Sequence, residues 1–244
     1  MKVTKSQLKR KLHVLIACEE SQAETFAFRQ IGVKCWSCDI QPCRKGGNPN
    51  WHIHSDVTPF LSGKTEFVTQ SGRKVRVPKW DLIIAHPPCT YLCRVTASII
   101  YNRKNVDWTV QIDNQNVDVV HERYQKLLDA RQFFYLCLNA QCDYLAVENP
   151  VPLRIAQLPP PTTFACPSWF GCRYTKKTCY WLRNLPPLMP TIYHNHPKEF
   201  VRSSRGKYRS RTFPQLAQAV AQQWTEYILD DLLRQHQNPS GTRH

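Results

Sequence analysis

No stretch of this 244-residue chain is apolar for long enough to cross a bilayer, and the segment Met1 to Leu12 is basic and polar, without the hydrophobic core of a secretory leader. A membrane-bound or secreted protein is therefore not expected, and the sequence reads as cytoplasmic. Internal repeats and low-complexity tracts are also lacking, so one globular domain over 1–244 is the simplest organisation. Acid is scarce: 18 Asp and Glu face 33 Lys and Arg, for a net charge of +15. An excess of that size favours a polyanionic partner, because cationic side chains that neutralise phosphates release condensed counterions. Eleven cysteines would signal disulfides in a small exported protein. A chain long enough to build its own core, with no leader, is expected to keep them reduced.

The apolar segments alternate in type. Leu12 to Cys18, Val33 to Ile40, Trp80 to Ala85, Asp143 to Val147 and Thr178 to Leu182 have the short, continuous character of buried strands. Helical spacing predicts helices over Gln22 to Gln30, closed by Ile31-Gly32, over Val117 to Leu138 and over Pro214 to Leu233. Gln41 to Trp51 reads as a loop and Thr65 to Pro78 as a basic surface hairpin turning at Ser71-Gly72, neither belonging to the core. Strands interleaved with helices predict an α/β fold with a doubly wound, mostly parallel, Rossmann-like sheet, whose ligands sit outside the carboxyl ends of the strands.

Cys18, Asp39, Cys89 and Glu148 all fall at predicted strand ends. Two prolines hold Cys89 just beyond a buried strand, where a thiolate would serve as a nucleophile. Glu148, kept partly protonated by burial, would donate to a ring nitrogen. The plainer alternatives are an inert buried thiol and a helix-capping carboxylate.

Asp81-Leu82-Ile83-Ile84 leading into His86-Pro87-Pro88-Cys89 resembles the Pro-Cys motif of the cytosine-5 DNA methyltransferases, and Val147-Glu148-Asn149-Pro150 resembles their Glu-Asn motif. Ala17-Cys18-Glu19-Glu20-Ser21 and Lys176-Lys177-Thr178-Cys179-Tyr180-Trp181-Leu182 narrow the resemblance to the compact bacteriophage and prophage members, over Val14 to Trp224. The resemblance implies a class I methyltransferase fold in which Cys89 adds to cytosine C6 while Glu148, beside Asn149, engages N3. It implies DNA as partner, single-stranded or with the target base flipped from the duplex, and a host cell's cytoplasm as the setting.

S-adenosylmethionine is the implied cofactor, with Ala17, Cys18, Glu19 and Ser21 near its methionine part, Asp39 on the ribose hydroxyls, Asp56 and Val57 flanking the adenine, and Ile40 and Pro87 as further contacts. The Phe-x-Gly-x-Gly loop of larger members is absent, with Glu19-Glu20 in its place, and His86 stands where they usually carry a glycine and is expected to pack. Lys176 and Lys177, with Arg205, Arg209 and Arg211, are the implied nucleic-acid contacts. The domain would divide into a core at about 12–182, a short basic recognition region at about 184–212 and a C-terminal helix at about 213–235 that packs back on the core. A metal site is not expected: Cys35, Cys38 and Cys43 with His52 and His54 have ligand chemistry, but Cys35 and Cys38 sit on a predicted strand. Two rival readings stay open, the same chemistry on RNA or a cytosine nucleotide, and a non-catalytic nucleic-acid-binding protein that counters host defence.

Overall fold

The computed structural model describes residues 4–101, 104–193, 197–199 and 212–237. Seven strands form the central sheet: β1 (His13–Ala17), β2 (Lys34–Asp39), β3 (His52–His54), β4 (Leu82–Ala85), β5 (Tyr144–Pro150), β6 (Thr163–Ala165) and β7 (Thr178–Arg183). Their order is β6-β7-β5-β4-β1-β2-β3, with β1 to β5 parallel and β7 antiparallel to both neighbours. This is the predicted doubly wound, Rossmann-like architecture. Its order reverses between β1 and β4, which opens a crevice at their carboxyl ends.

Alternation along the strands builds two cores. Leu15, Ala17, Trp36, Cys38, Ile83, Ala85, Leu145 and Val147 face one side, and Val14, Ile16, Cys35, Leu82, Ile84, Tyr144 and Ala146 face the other. Cys35 and Cys38 therefore point to opposite faces and cannot share an ion. Helices α1 (Lys5–Lys9), α2 (Ala23–Gln30) and α6 (Pro214–Gln237) cover the second face. Helices α3 (Thr58–Leu61), α4 (Ala97–Ile100) and α5 (His121–Leu138) cover the first. Lys5 ties α1 to α6 through Glu226 and Asp230. Gly32, at φ 83°, ends α2 in the left-handed conformation that glycine adopts without penalty.

Four features differ from expectation. The predicted helix over Val117 to Leu138 begins only at His121; Gln115–Val119 pairs instead with Trp108–Ile112 in a hairpin turning at Asp113 and Asn114. Both turn residues have positive φ, as a two-residue turn of that hand requires. The hairpin Glu66–Val68 and Lys74–Arg76 forms as predicted, but it is not wholly superficial, because Phe67 and the adjoining Val77 are buried in the first core. Strands β3 and β6, three residues each, went unpredicted. Finally, Glu148, Asn149 and Pro150 lie within β5, not beyond it. The β4–β5 pairing stops at Ala85 and Val147, whereas β7 continues alongside β5 to Pro150. That extension carries Glu148 past the end of β4, over the loop bearing Cys89.

Candidate active site

Backbone hydrogen bonds lace the two proline-containing segments together. The buried Asn149 donates from Nδ2 to the Pro87 carbonyl at 3.0 Å. Beyond it, Leu153 N donates to Leu92 O at 2.7 Å and Arg94 N to Val151 O at 2.9 Å. Cys89 opens a helical turn, its carbonyl accepting from Leu92 N and Cys93 N at 3.1 and 3.2 Å. Asn149 thus ties the loop that bears Cys89 to β5.

Cys89 is half-buried, and its thiol hydrogen-bonds the Cys93 sulfur. That bond, burial and the charge of Glu148 hold Cys89 protonated, while Lys176 works in the opposite direction. The same bond, with help from Thr96, brings Cys93 down, so an acceptor for the Cys89 proton lies one hydrogen bond away.

Glu148 does not keep a proton in the way the sequence suggested. Burial pushes its pKa up, but the hydrogen bond from His86, the charges of Lys176 and His86 and the Thr178 hydroxyl outweigh burial and hold it below the ordinary carboxylate range. His86 is the larger surprise, since it does more than pack. Its Nδ1 lies 3.1 Å from Glu148 Oε2 and its Nε2 lies 3.1 Å from Glu24 Oε2. Burial alone would favour the neutral ring, yet the two carboxylates raise its pKa well above the usual value.

The remaining candidates divide into groups. Asp39, at the end of β2, and Asp56 both bear on the Cys18 thiol, so these three converge at the crevice. Ile40, 69% exposed, offers an apolar surface beside Asp39. Asp39 Oδ1 accepts from Gln41 N at 2.8 Å, and Asp56 Oδ1 caps α3 through Thr58. Val57 turns into the first core together with Ala17. Glu19 turns its carboxylate to the start of α2, accepting from Glu24 N at 2.7 Å and from the Thr25 hydroxyl at 2.7 Å. Ser21 is half-buried at the same turn, and Glu20 pairs with Arg44. The glycine loop is missing, yet Cys18 adopts φ 61°, a left-handed conformation that glycine takes most easily. A ribose diol facing Asp39 and an adenine against Ile40 would fit this donor set.

Lys176 bears on both Cys89 and Glu148, whereas Lys177 lies over the Phe164 ring at 4.2 Å, away from them. Arg205, Arg209 and Arg211, with most of the basic recognition region, lie outside the described residues. Sequence reasoning missed Glu24, Cys93, Thr178 and the bridging role of His86. Cys93 recurs one helical turn after Cys89, a spacing that could have pointed to it; Glu24 carried no signal at all. Among the described residues, no helix is long and apolar enough to cross a membrane.

No protein-family model matches the sequence, and a search of curated proteins finds no match. Among solved structures, the chain is similar to one described, provisionally, as a DNA modification methyltransferase encoded within an E. coli prophage. The identity is 14%, with 75% of this chain and 52% of that one covered and a TM-score of 0.41. The chain spans about half the length of that protein. So loose a likeness fixes neither reaction nor substrate.

Proposed function

We propose that the protein transfers a methyl group from S-adenosylmethionine to C5 of cytosine in DNA. The observation that carries this reading is the pairing of a thiol and a carboxylate: Cys89 follows β4, Glu148 lies on the adjacent parallel β5 past the end of β4, its charge acts on the Cys89 thiol, and the charge of Lys176 acts on both. Cys89 passes its proton towards Cys93 and bonds to C6, and Glu148 engages N3 so that the electron density released collects on C5. Asp39 and Ile40, beside the Cys18 turn, would hold the cofactor, which would supply the electrophilic methyl group. Asn149 keeps Pro87, and with it Cys89, in register with Glu148. A flipped or single-stranded base is required, because C6 is inaccessible within the stack. The charge of +15 supports a polymer over a lone nucleotide.

The test is covalent trapping. DNA containing 5-fluorocytosine cannot lose its C5 substituent, so it should remain bonded to the wild-type protein in the presence of S-adenosylmethionine and not to Cys89→Ser. Tritiated cofactor run with DNA and with RNA separates the polymers. Tight DNA binding without label or adduct would replace this reading with the non-catalytic one.

A further inference from the structure

An ionised Glu148 has no proton to offer N3 of cytosine, and its charge would repel that lone pair. The residue that removes this difficulty is His86, and the inference rests on the cytosine reading above. The geometry points to His86 as the proton reservoir of Glu148, a positioning residue that never touches the base but stores on Nδ1 the proton that reaches N3.

Each ring nitrogen has one carboxylate partner, at 3.1 Å in both cases, and the partners come from different elements, Glu24 from α2 and Glu148 from β5. Glu24 is fully buried, and its second oxygen, Oε1, has no hydrogen-bond partner, so no other donor competes with His86 for this carboxylate. Glu24 therefore fixes the ring: Nε2–H stays directed at Glu24, which leaves the Nδ1 proton as the one to be released. The other titratable groups bearing on this pair are Glu19, whose charge acts on the same ring, Lys176, which acts on Glu148, and Tyr180, opposite Glu148 on β7. The His86 and Glu148 side chains are 13% and 16% exposed, so the pair opens only narrowly to solvent and holds a proton beside the position of the base.

The transfer balances. As a base enters and strips water from Glu148, the Nδ1–H bond breaks and an Oε2–H bond forms, converting imidazolium and carboxylate into neutral imidazole and neutral carboxyl. The carboxyl turns about its terminal C–C bond and passes the proton to N3 while the sulfur of Cys89 bonds to C6 and the C5=C6 pair moves onto C5. After methyl transfer, C5 loses its proton to water, the sulfur leaves, and N3 returns its proton to Glu148 and from there to His86.

The experiment has two arms. In the free protein, NMR titration of the His86 ring, assigned by comparison with His86→Gln, should find it charged through neutral pH and should find that Glu24→Gln moves its titration to lower pH. In single-turnover trapping on 5-fluorocytosine DNA, the wild type should hold its rate through neutral pH. His86→Gln should lose about tenfold per pH unit there, because Glu148 must then be protonated from solvent. Glu24→Gln should shift the alkaline limb to lower pH with DNA affinity unchanged, a readout that a merely structural role would not move and one that survives if His86→Gln fails to fold. A neutral ring at pH 7 in the free wild type overturns the reservoir. So does a wild type that traps DNA beside variants whose limbs have not moved. A wild type that never traps overturns the covalent reading itself and the relay with it.

Discussion

Glu19 provides the most direct test of the electrostatics beneath the site. Its carboxylate is 4% exposed and faces the first turn of α2. Burial, followed by the neighbouring charge of Glu24, pushes its pKa from 4.5 to about 7, against the pull of Thr25, His86 and the Glu24 N–H. The folded protein therefore binds this proton more tightly than the unfolded chain does. Its contribution to stability is complete below the unfolded value and is lost as pH rises through the folded one. A displacement from 4.5 to about 7, at about 1.4 kcal/mol per pH unit, sets a ceiling of about 3 kcal/mol, part of which belongs to Glu24. Glu19→Gln keeps the shape and one acceptor oxygen but has no proton to lose. Urea unfolding at about pH 4.5 and about pH 8 should find that the wild type loses up to about 3 kcal/mol more than the variant between the two. Equal losses in the two proteins would refute the reasoning. His86, also raised, adds a loss that begins near its ordinary value and extends higher, and it persists in the variant.

Three further outcomes follow from single contacts. Asn149→Ala removes the donor to the Pro87 carbonyl and should cost about 1–3 kcal/mol in urea unfolding while slowing adduct formation; full stability with a normal rate would mean that this bond does not hold the loop. Lys176→Met removes the charge that favours the Cys89 thiolate, so the onset of trapping should move to higher pH, and an unmoved onset would mean that Lys176 does not act on the thiol. Tyr180→Phe deletes a buried hydroxyl that has no hydrogen-bond partner, so thermal unfolding should be unchanged or raised, by up to about 1 kcal/mol; a clear loss would reveal a partner such as a buried water.

The major strands were legible because each carries a continuous apolar run, and the two prolines after Ala85 marked where β4 must end. Strands β3 and β6 were not, since three residues are too few to establish a period of two. The helix over Val117 was misassigned for a different reason. Val117 and Val119 continue the spacing of α5 while also alternating with Asn116 and Asp118, and the deciding signal, Asp113-Asn114 as a hairpin turn, lay outside the segment being read. Within the site, Cys89 follows the end of β4 and Glu148 lies inside β5, and the protonation of neither could be read from the chain. It depends on His86 and Glu24, which meet only because the first turn of α2 brings Glu24 to the residue that follows β4.

The cofactor loop applies the same lesson in reverse. The glycines of the larger members are missing at Glu19-Glu20, yet Cys18 makes a left-handed turn at φ 61°. A side chain in that region costs on the order of 1–2 kcal/mol, and such a conformation persists only where its surroundings enforce it. Here Cys18 N and Glu19 N both donate to Cys38 O, at 2.7 and 3.3 Å, and Glu19 anchors the next residues to α2. The tight turn is held by the end of β2 and the start of α2, two elements that the fold needs in any case. A glycine motif records one inexpensive way of making such a turn, and the chain makes one without it as long as Cys38 and Glu19 hold Cys18 in place.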